Sequence, residues 1–130
     1  MATNLGEPLD ITISRDQHWN QPHWLVDGTR PFNLTDCTVE LWIRPTFNHA
    51  TLIRTLSSDE DADDGGGEII IDSATKGAFH ILVPRATIVA NIPISPLAGW
   101  AQFLKVITGS GDEIEWWRGR LDVKAGSLLT

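Results

Sequence analysis

The densest group of residues that could do chemistry is an acidic stretch in the middle of the chain. Five of the six residues in 59–64 are carboxylates, and three glycines follow them. Calcium prefers carboxylate oxygens, and an EF-hand loop needs glycine at its sixth position and glutamate at its twelfth. Counted from Asp59, those positions hold Asp64 and Ile70, so the register fails. We therefore predict a flexible, solvated strand connection over residues 57–67. A looser ion site remains the alternative, and it would use Asp59, Asp61, Asp63 and Asp64.

The histidines and the single cysteine form no metal or catalytic pattern. The four histidines, at positions 18, 23, 49 and 80, include no pair spaced two or four residues apart, as ligands of one metal often are. Cys37 has no histidine near it in sequence, and no Gly-x-Ser-x-Gly turn is present. We therefore predict no metal site, no cofactor and no enzymatic activity. As the lone cysteine, Cys37 excludes an internal disulfide, and we expect it to be a small buried strand residue.

Tryptophan usage points to binding. The chain has six tryptophans and no tyrosine among 130 residues. One core of that size does not readily hide six indoles, so we expect some of them on a surface that another molecule covers. Such indoles could anchor a subunit interface or act as stacking platforms for sugar rings.

Composition limits the other classes of partner. The formal net charge of −7 argues against a nucleic-acid backbone, because that binding needs clustered lysine and arginine. No apolar run approaches the roughly 18 residues of a membrane span. Residues 1–8 lack a basic segment followed by an apolar run, so we expect no signal peptide and synthesis in the cytosol.

The C-terminal quarter positions the most informative aromatic pair. Two β-type runs, Trp100 to Ile107 and Ile114 to Val123, flank a polar turn. Adjacent strand residues point to opposite faces, so Trp116 and Trp117 should do so too. With the apolar end of the second run facing inward, Trp117 is predicted to be core and Trp116 to point outward. An outward aromatic beside arginines is typical of protein interfaces. The full set of interface candidates is Trp116, Arg118, Arg120, Trp42, Trp19 and Trp24.

The rest of the chain reads as short strands separated by turns. Leu9 to Ser14 alternates strictly and follows Pro8, so it predicts an edge strand. Cys37 to Arg44 alternates as well, with Trp42 on the face opposite the apolar row. Residues 87–90 fit either a helical turn or a short strand. We predict an all-β, immunoglobulin-like antiparallel β-sandwich of about seven to eight strands. It should form one domain over residues 1–130, with its core at about 9–123.

Five segments follow one another in a recognisable order. They are Leu9 to Ser14, Gly28 to Asp36, Cys37 to Arg44, Gly77 to Leu82 and Arg118 to Val123. This order resembles the N-terminal immunoglobulin-like domain of phage upper-baseplate proteins, the BppU type. The match is one of pattern, covers about residues 9–123, and includes no chemical motif.

The resemblance implies a bacteriophage virion structural protein, an assembly or adaptor module of the tail or baseplate. The partners it implies are other phage structural proteins and further copies of the chain, with no nucleic acid and no membrane. A capsid decoration protein is the first alternative, since a small acidic sandwich also suits that role. A carbohydrate-binding β-sandwich module is the second alternative.

Overall fold

A computed structural model of the protein describes residues 2–48, 53–59 and 68–125. These residues form ten strands and one short helix, α1, at Arg85–Asn91. The strands are β1 (Ala2–Asn4), β2 (Ile11–Ser14), β3 (Trp19–Asp27), β4 (Arg30–Pro31), β5 (Thr38–Arg44), β6 (Arg54–Ser57), β7 (Ile69–Ser73), β8 (Ala78–Val83), β9 (Trp100–Ile107) and β10 (Glu113–Lys124).

The strands form two five-stranded sheets that enclose one hydrophobic core. The first sheet has the order β1-β3-β8-β7, with β4 also paired to β3, and the second has the order β2-β10-β9-β5-β6. The predicted all-β sandwich is confirmed, as is the edge position of β2. The described residues contain more strands than predicted, and β1–β3 and β2–β10 are parallel pairs. Parallel neighbours need a long connection, and residues 15–112 separate β2 from β10.

Strict alternation in the sequence locates the core. On β8, Phe79, Ile81 and Val83 are fully buried, while the residues between them are partly exposed. On β5, the apolar row predicted to face inward is buried, and Trp42 lies on the opposite face. Cys37 differs from its prediction, because it lies just before β5 and is half-buried, with its thiol 3.6 Å from the carbonyl oxygen of Thr35. Alternation therefore predicts the buried face well, but not where the strand begins.

The structure defines the course of β3 through a proline and the conformation of the segment after Pro84. β3 begins at Trp19 and passes through Pro22, although proline cannot donate a hydrogen bond to a neighbouring strand. Pro22 pairs with β8, whereas pairing with β1 begins only at Trp24. One side of β3 is therefore open at Pro22, where a missing N–H group is tolerated. The ambiguous segment after Pro84 is helical, and it buries Ile88.

Gly119 lets the N-terminal segment approach β10 closely. A Cβ atom at this position would lie only 1.9 Å from the carbonyl oxygen of Leu9 and 2.9 Å from a carboxylate oxygen of Asp10. That carboxylate accepts a hydrogen bond of 2.8 Å from the backbone N–H of Arg120. The absence of a side chain at Gly119 therefore permits the close approach of Leu9 and Asp10.

We expect Gly119→Ala to lower the free energy of unfolding by about 2 kcal/mol, because the new methyl group must displace the backbone at Leu9. Urea denaturation measures the change. Gly109→Ala is the control, since its Cβ would come no nearer than 3.3 Å to Asp36, and we expect a smaller loss. Equal losses for the two variants would contradict a specific role for the contact at Leu9.

Candidate interface surfaces

The tryptophan pair on β10 does not divide between two faces. Trp116 and Trp117 are 0% and 1% exposed, so both indoles lie in the core. The register shows why: Glu115 pairs with Lys105, Trp117 pairs with the next residue, Leu104, and Trp116 is left over in a β-bulge. A bulge breaks the strict alternation of faces. The prediction that Trp116 points outward is therefore wrong.

Both buried indoles hold the N-terminal segment against the core. The Trp116 indole N–H donates to the carbonyl oxygen of Thr3 at 3.1 Å, and its ring meets Phe32 edge-on. The Trp117 indole N–H donates to the side-chain oxygen of Gln102 at 2.6 Å. The Gln102 amide in turn donates to the carbonyl oxygen of Leu9 at 2.5 Å. Each polar group that these tryptophans bring into the core thus has a partner, as buried polar groups require.

The two tryptophans that flank Pro22 differ in solvent exposure. Trp19, an interface candidate, is only 4% exposed and belongs to the core, so it is not available to a partner. Trp24 is 44% exposed on the outer face of the first sheet. Of the six tryptophans, all within the described residues, Trp24 alone is exposed to this degree. The described surface therefore has few exposed indoles on which sugar rings could stack.

Around Trp24 the first sheet presents a surface with few charges. Pro22 and Ile70 are exposed on the same face, both opposite His80 in neighbouring strands. The imidazole Nδ1 of His80 lies 2.9 Å from the carboxylate of Asp72. This face could contact another protein through its apolar side chains.

The outer face of the second sheet brings together two candidates that are far apart in sequence. Trp42 on β5 pairs with Phe103 on β9, and Phe103 pairs with Arg118 on β10. Cations lie over these rings: Lys105 Nζ is 5.0 Å from the Trp42 centroid, and the Arg118 guanidinium carbon is 5.4 Å from that of Phe103. We call this surface the aromatic–cation face. Its members are Trp42, Arg44, Phe47, Phe103, Lys105, Glu115 and Arg118.

Arg120 points outward, as predicted, but lies beside the aromatic–cation face. Its guanidinium donates to Asp122 at 2.8 Å and to the carbonyl oxygen of Leu97 at 3.1 Å. The hydrogen bond to Asp122 raises the pKa of the arginine further. Sequence reasoning missed five members of the aromatic–cation face, because only the tertiary fold brings them together. They are Arg44, Phe47, Phe103, Lys105 and Glu115.

The acidic stretch is described only at its start. Asp59 is exposed, and its backbone N–H donates to the hydroxyl of Ser57 at 3.0 Å. The other candidate ion ligands, Asp61, Asp63 and Asp64, lie outside the described residues. Within residues 2–48, 53–59 and 68–125, no three histidine, cysteine, aspartate or glutamate side chains are grouped as metal ligands.

His23 is a titratable group in the core that the sequence did not single out. It points inward from β3, is 1% exposed, and lies between the rings of Phe79 and Trp117 at 5.5 and 5.0 Å. Among the described residues, neither ring nitrogen has a hydrogen-bond partner. Burial disfavours the charged imidazolium and lowers the pKa of His23 to about 4.

This lowered pKa predicts a loss of stability in acid. Below about pH 6.5 the unfolded chain takes up a proton at His23, whereas the folded chain stays neutral until about pH 4. We therefore expect the free energy of unfolding to fall by about 2.5 kcal/mol between pH 7 and pH 4.5 because of this group. Urea denaturation of the wild type and His23→Leu across this range isolates the effect. A pH dependence that is the same in both proteins would contradict the prediction.

The fold of this chain is similar to that of a known phage domain, although its sequence matches no family. No family model matches the chain, and no curated protein matches it. Among solved structures, the fold is similar to that of the N-terminal domain of phage TP901-1 ORF48. The TM-score is 0.58 with 9% sequence identity, and the match covers 95% of this chain and 94% of the other. The chain therefore has the fold of a phage protein domain. The short helix α1, the one helix of the described residues, is not long and apolar enough to span a membrane.

Proposed function

We propose that this chain is a bacteriophage virion structural protein that acts as an assembly module of the tail or baseplate. The observation that carries the proposal is the fold likeness to a phage protein domain, which extends over almost all of both chains. The order of motifs, which resembles that of upper-baseplate proteins, supports the same assignment independently of the structure.

The exposed surfaces suit a protein that binds other proteins. The second sheet presents aromatic and arginine side chains together on its outer face, a composition enriched in interfaces. The first sheet presents the exposed Trp24 and Ile70. A single sandwich with a contact surface on each side can bridge two neighbours, as an adaptor must. In this proposal the chain works by binding, without catalysis, and resides in the virion.

The test is to look for the chain in purified phage particles. Particles of the phage that encodes it should contain the protein, and isotope-standard mass spectrometry gives its copy number. Gold-labelled antibodies should mark the tail end, and the copy number should match a ring of few copies. Many copies spread over the capsid would instead favour the decoration role, and absence from the particles would overturn the proposal.

A further inference from the structure

The aromatic–cation face has the opposite sign of charge to the chain as a whole. Three of its members are cations, Arg44, Lys105 and Arg118, and Glu115 is its one carboxylate. Glu40 lies beneath it, where its carboxylate accepts a hydrogen bond of 2.9 Å from the Trp42 indole N–H. The whole chain has 17 acidic and 10 basic residues. The excess of acidic groups must therefore lie elsewhere on the molecule.

The cations of this face are held in place before any partner arrives. Glu115 accepts hydrogen bonds from the Arg118 guanidinium at 3.0 to 3.2 Å, while the same guanidinium lies over the rings of Phe47 and Phe103. Arg44 lies over the rings of Trp42 and Phe103. Such stacking lowers the entropy lost when a side chain becomes fixed in a complex. Arg118 nevertheless stays 56% exposed, so its guanidinium is accessible to a partner.

The shape of the face indicates the size of what enters it. Its seven members line a shallow depression of about 140 Å³. Sites for small-molecule ligands are usually roughly 300–1,000 Å³. The depression can therefore take one side chain from a protein, and it is smaller than the usual cofactor site.

We propose that the aromatic–cation face binds an acidic surface of a second copy of this chain, with a carboxylate side chain entering the depression. The acidic excess of the chain itself supplies the complementary charge. The contact joins two different patches, so it can occur twice about a two-fold axis in a closed pair, or repeat head-to-tail into a ring or a filament. This inference deepens the proposed assembly role, on which it rests, by naming the surface and the partner.

The first test measures self-association of the purified chain by sedimentation equilibrium at low and high salt. We expect the wild type to associate and salt to weaken the association, because the contact pairs opposite charges. Arg118→Glu should weaken association by about tenfold or more while leaving the thermal unfolding midpoint nearly unchanged. The matched control is Arg30→Glu, which reverses an exposed charge on β4 in the other sheet. Wild-type protein that stays monomeric, or equal effects of the two variants, would overturn the proposal.

The second test maps the contact by carbodiimide cross-linking, which joins an amine directly to a carboxylate. Mixed ¹⁴N and ¹⁵N protein identifies the links that join two copies. We expect Lys105 to form such links and Arg118→Glu to abolish them. Exposed Lys76, in the turn between β7 and β8, should form markedly fewer. If purified particles contain the chain but Lys105 forms no link between copies, the partner inference fails and the proposed virion role stands.

Discussion

Replacing Trp116 with alanine is expected to lower the free energy of unfolding by about 4 kcal/mol, one of the largest effects of any single change in this chain. The variant loses a fully buried indole and its edge-on packing against Phe32. It also leaves the carbonyl oxygen of Thr3 without its donor, so β1 loses a tie to the core. Urea denaturation followed by circular dichroism measures the change.

Trp42→Ala is the matched control, because it removes the same side chain from the outer face. Trp42 is only half-buried, and we expect a loss of about 1 kcal/mol. Similar losses for the two variants would contradict the assignment of Trp116 to the core. The contrast also separates folding from binding, since Trp42 belongs to the aromatic–cation face and Trp116 does not.

Glu68→Gln is the second change expected to have a large effect, again a loss of about 4 kcal/mol. Glu68 and Arg54 form an ion pair in which both side chains are about 5% exposed or less. Arg54 lies on β6, an edge of the second sheet, and Glu68 immediately precedes β7 of the first. The pair thus joins the two sheets along one side. The substitution would leave the buried guanidinium without its countercharge.

Two further variants test whether the loss arises from the uncompensated charge. Glu115→Gln breaks a partly exposed pair with Arg118, for which we expect a loss of at most about 1 kcal/mol. The double variant Arg54→Met with Glu68→Leu should recover most of the stability lost in Glu68→Gln, since neither charge then remains buried. A double variant less stable than Glu68→Gln would show that the pair contributes more than charge balance.

Local patterns predicted much of the fold. The alternation on β5 identified its buried face correctly, because side chains on a strand point to opposite faces in turn. Before β5, the Asn33 side chain accepts a hydrogen bond of 2.9 Å from the backbone N–H of Thr35, a local contact of the kind that asparagine makes in turns. For the candidate interface, the sequence predicted the outward direction of Trp42 and Arg118. It could not predict that both flank Phe103, because that depends on pairing between strands distant in sequence.

By itself, the sequence predicted an all-β sandwich and the inward face of its regular strands, and the order of its motifs resembles that of phage upper-baseplate domains. Those properties depend on neighbours along the chain. Only the tertiary structure decided that Trp116 and Trp19 are core and that His23 is buried between two rings. The bulge that turns Trp116 inward exists only because β10 pairs with β9 in that register. Contacts between distant segments set that register, so alternation within one strand cannot predict it.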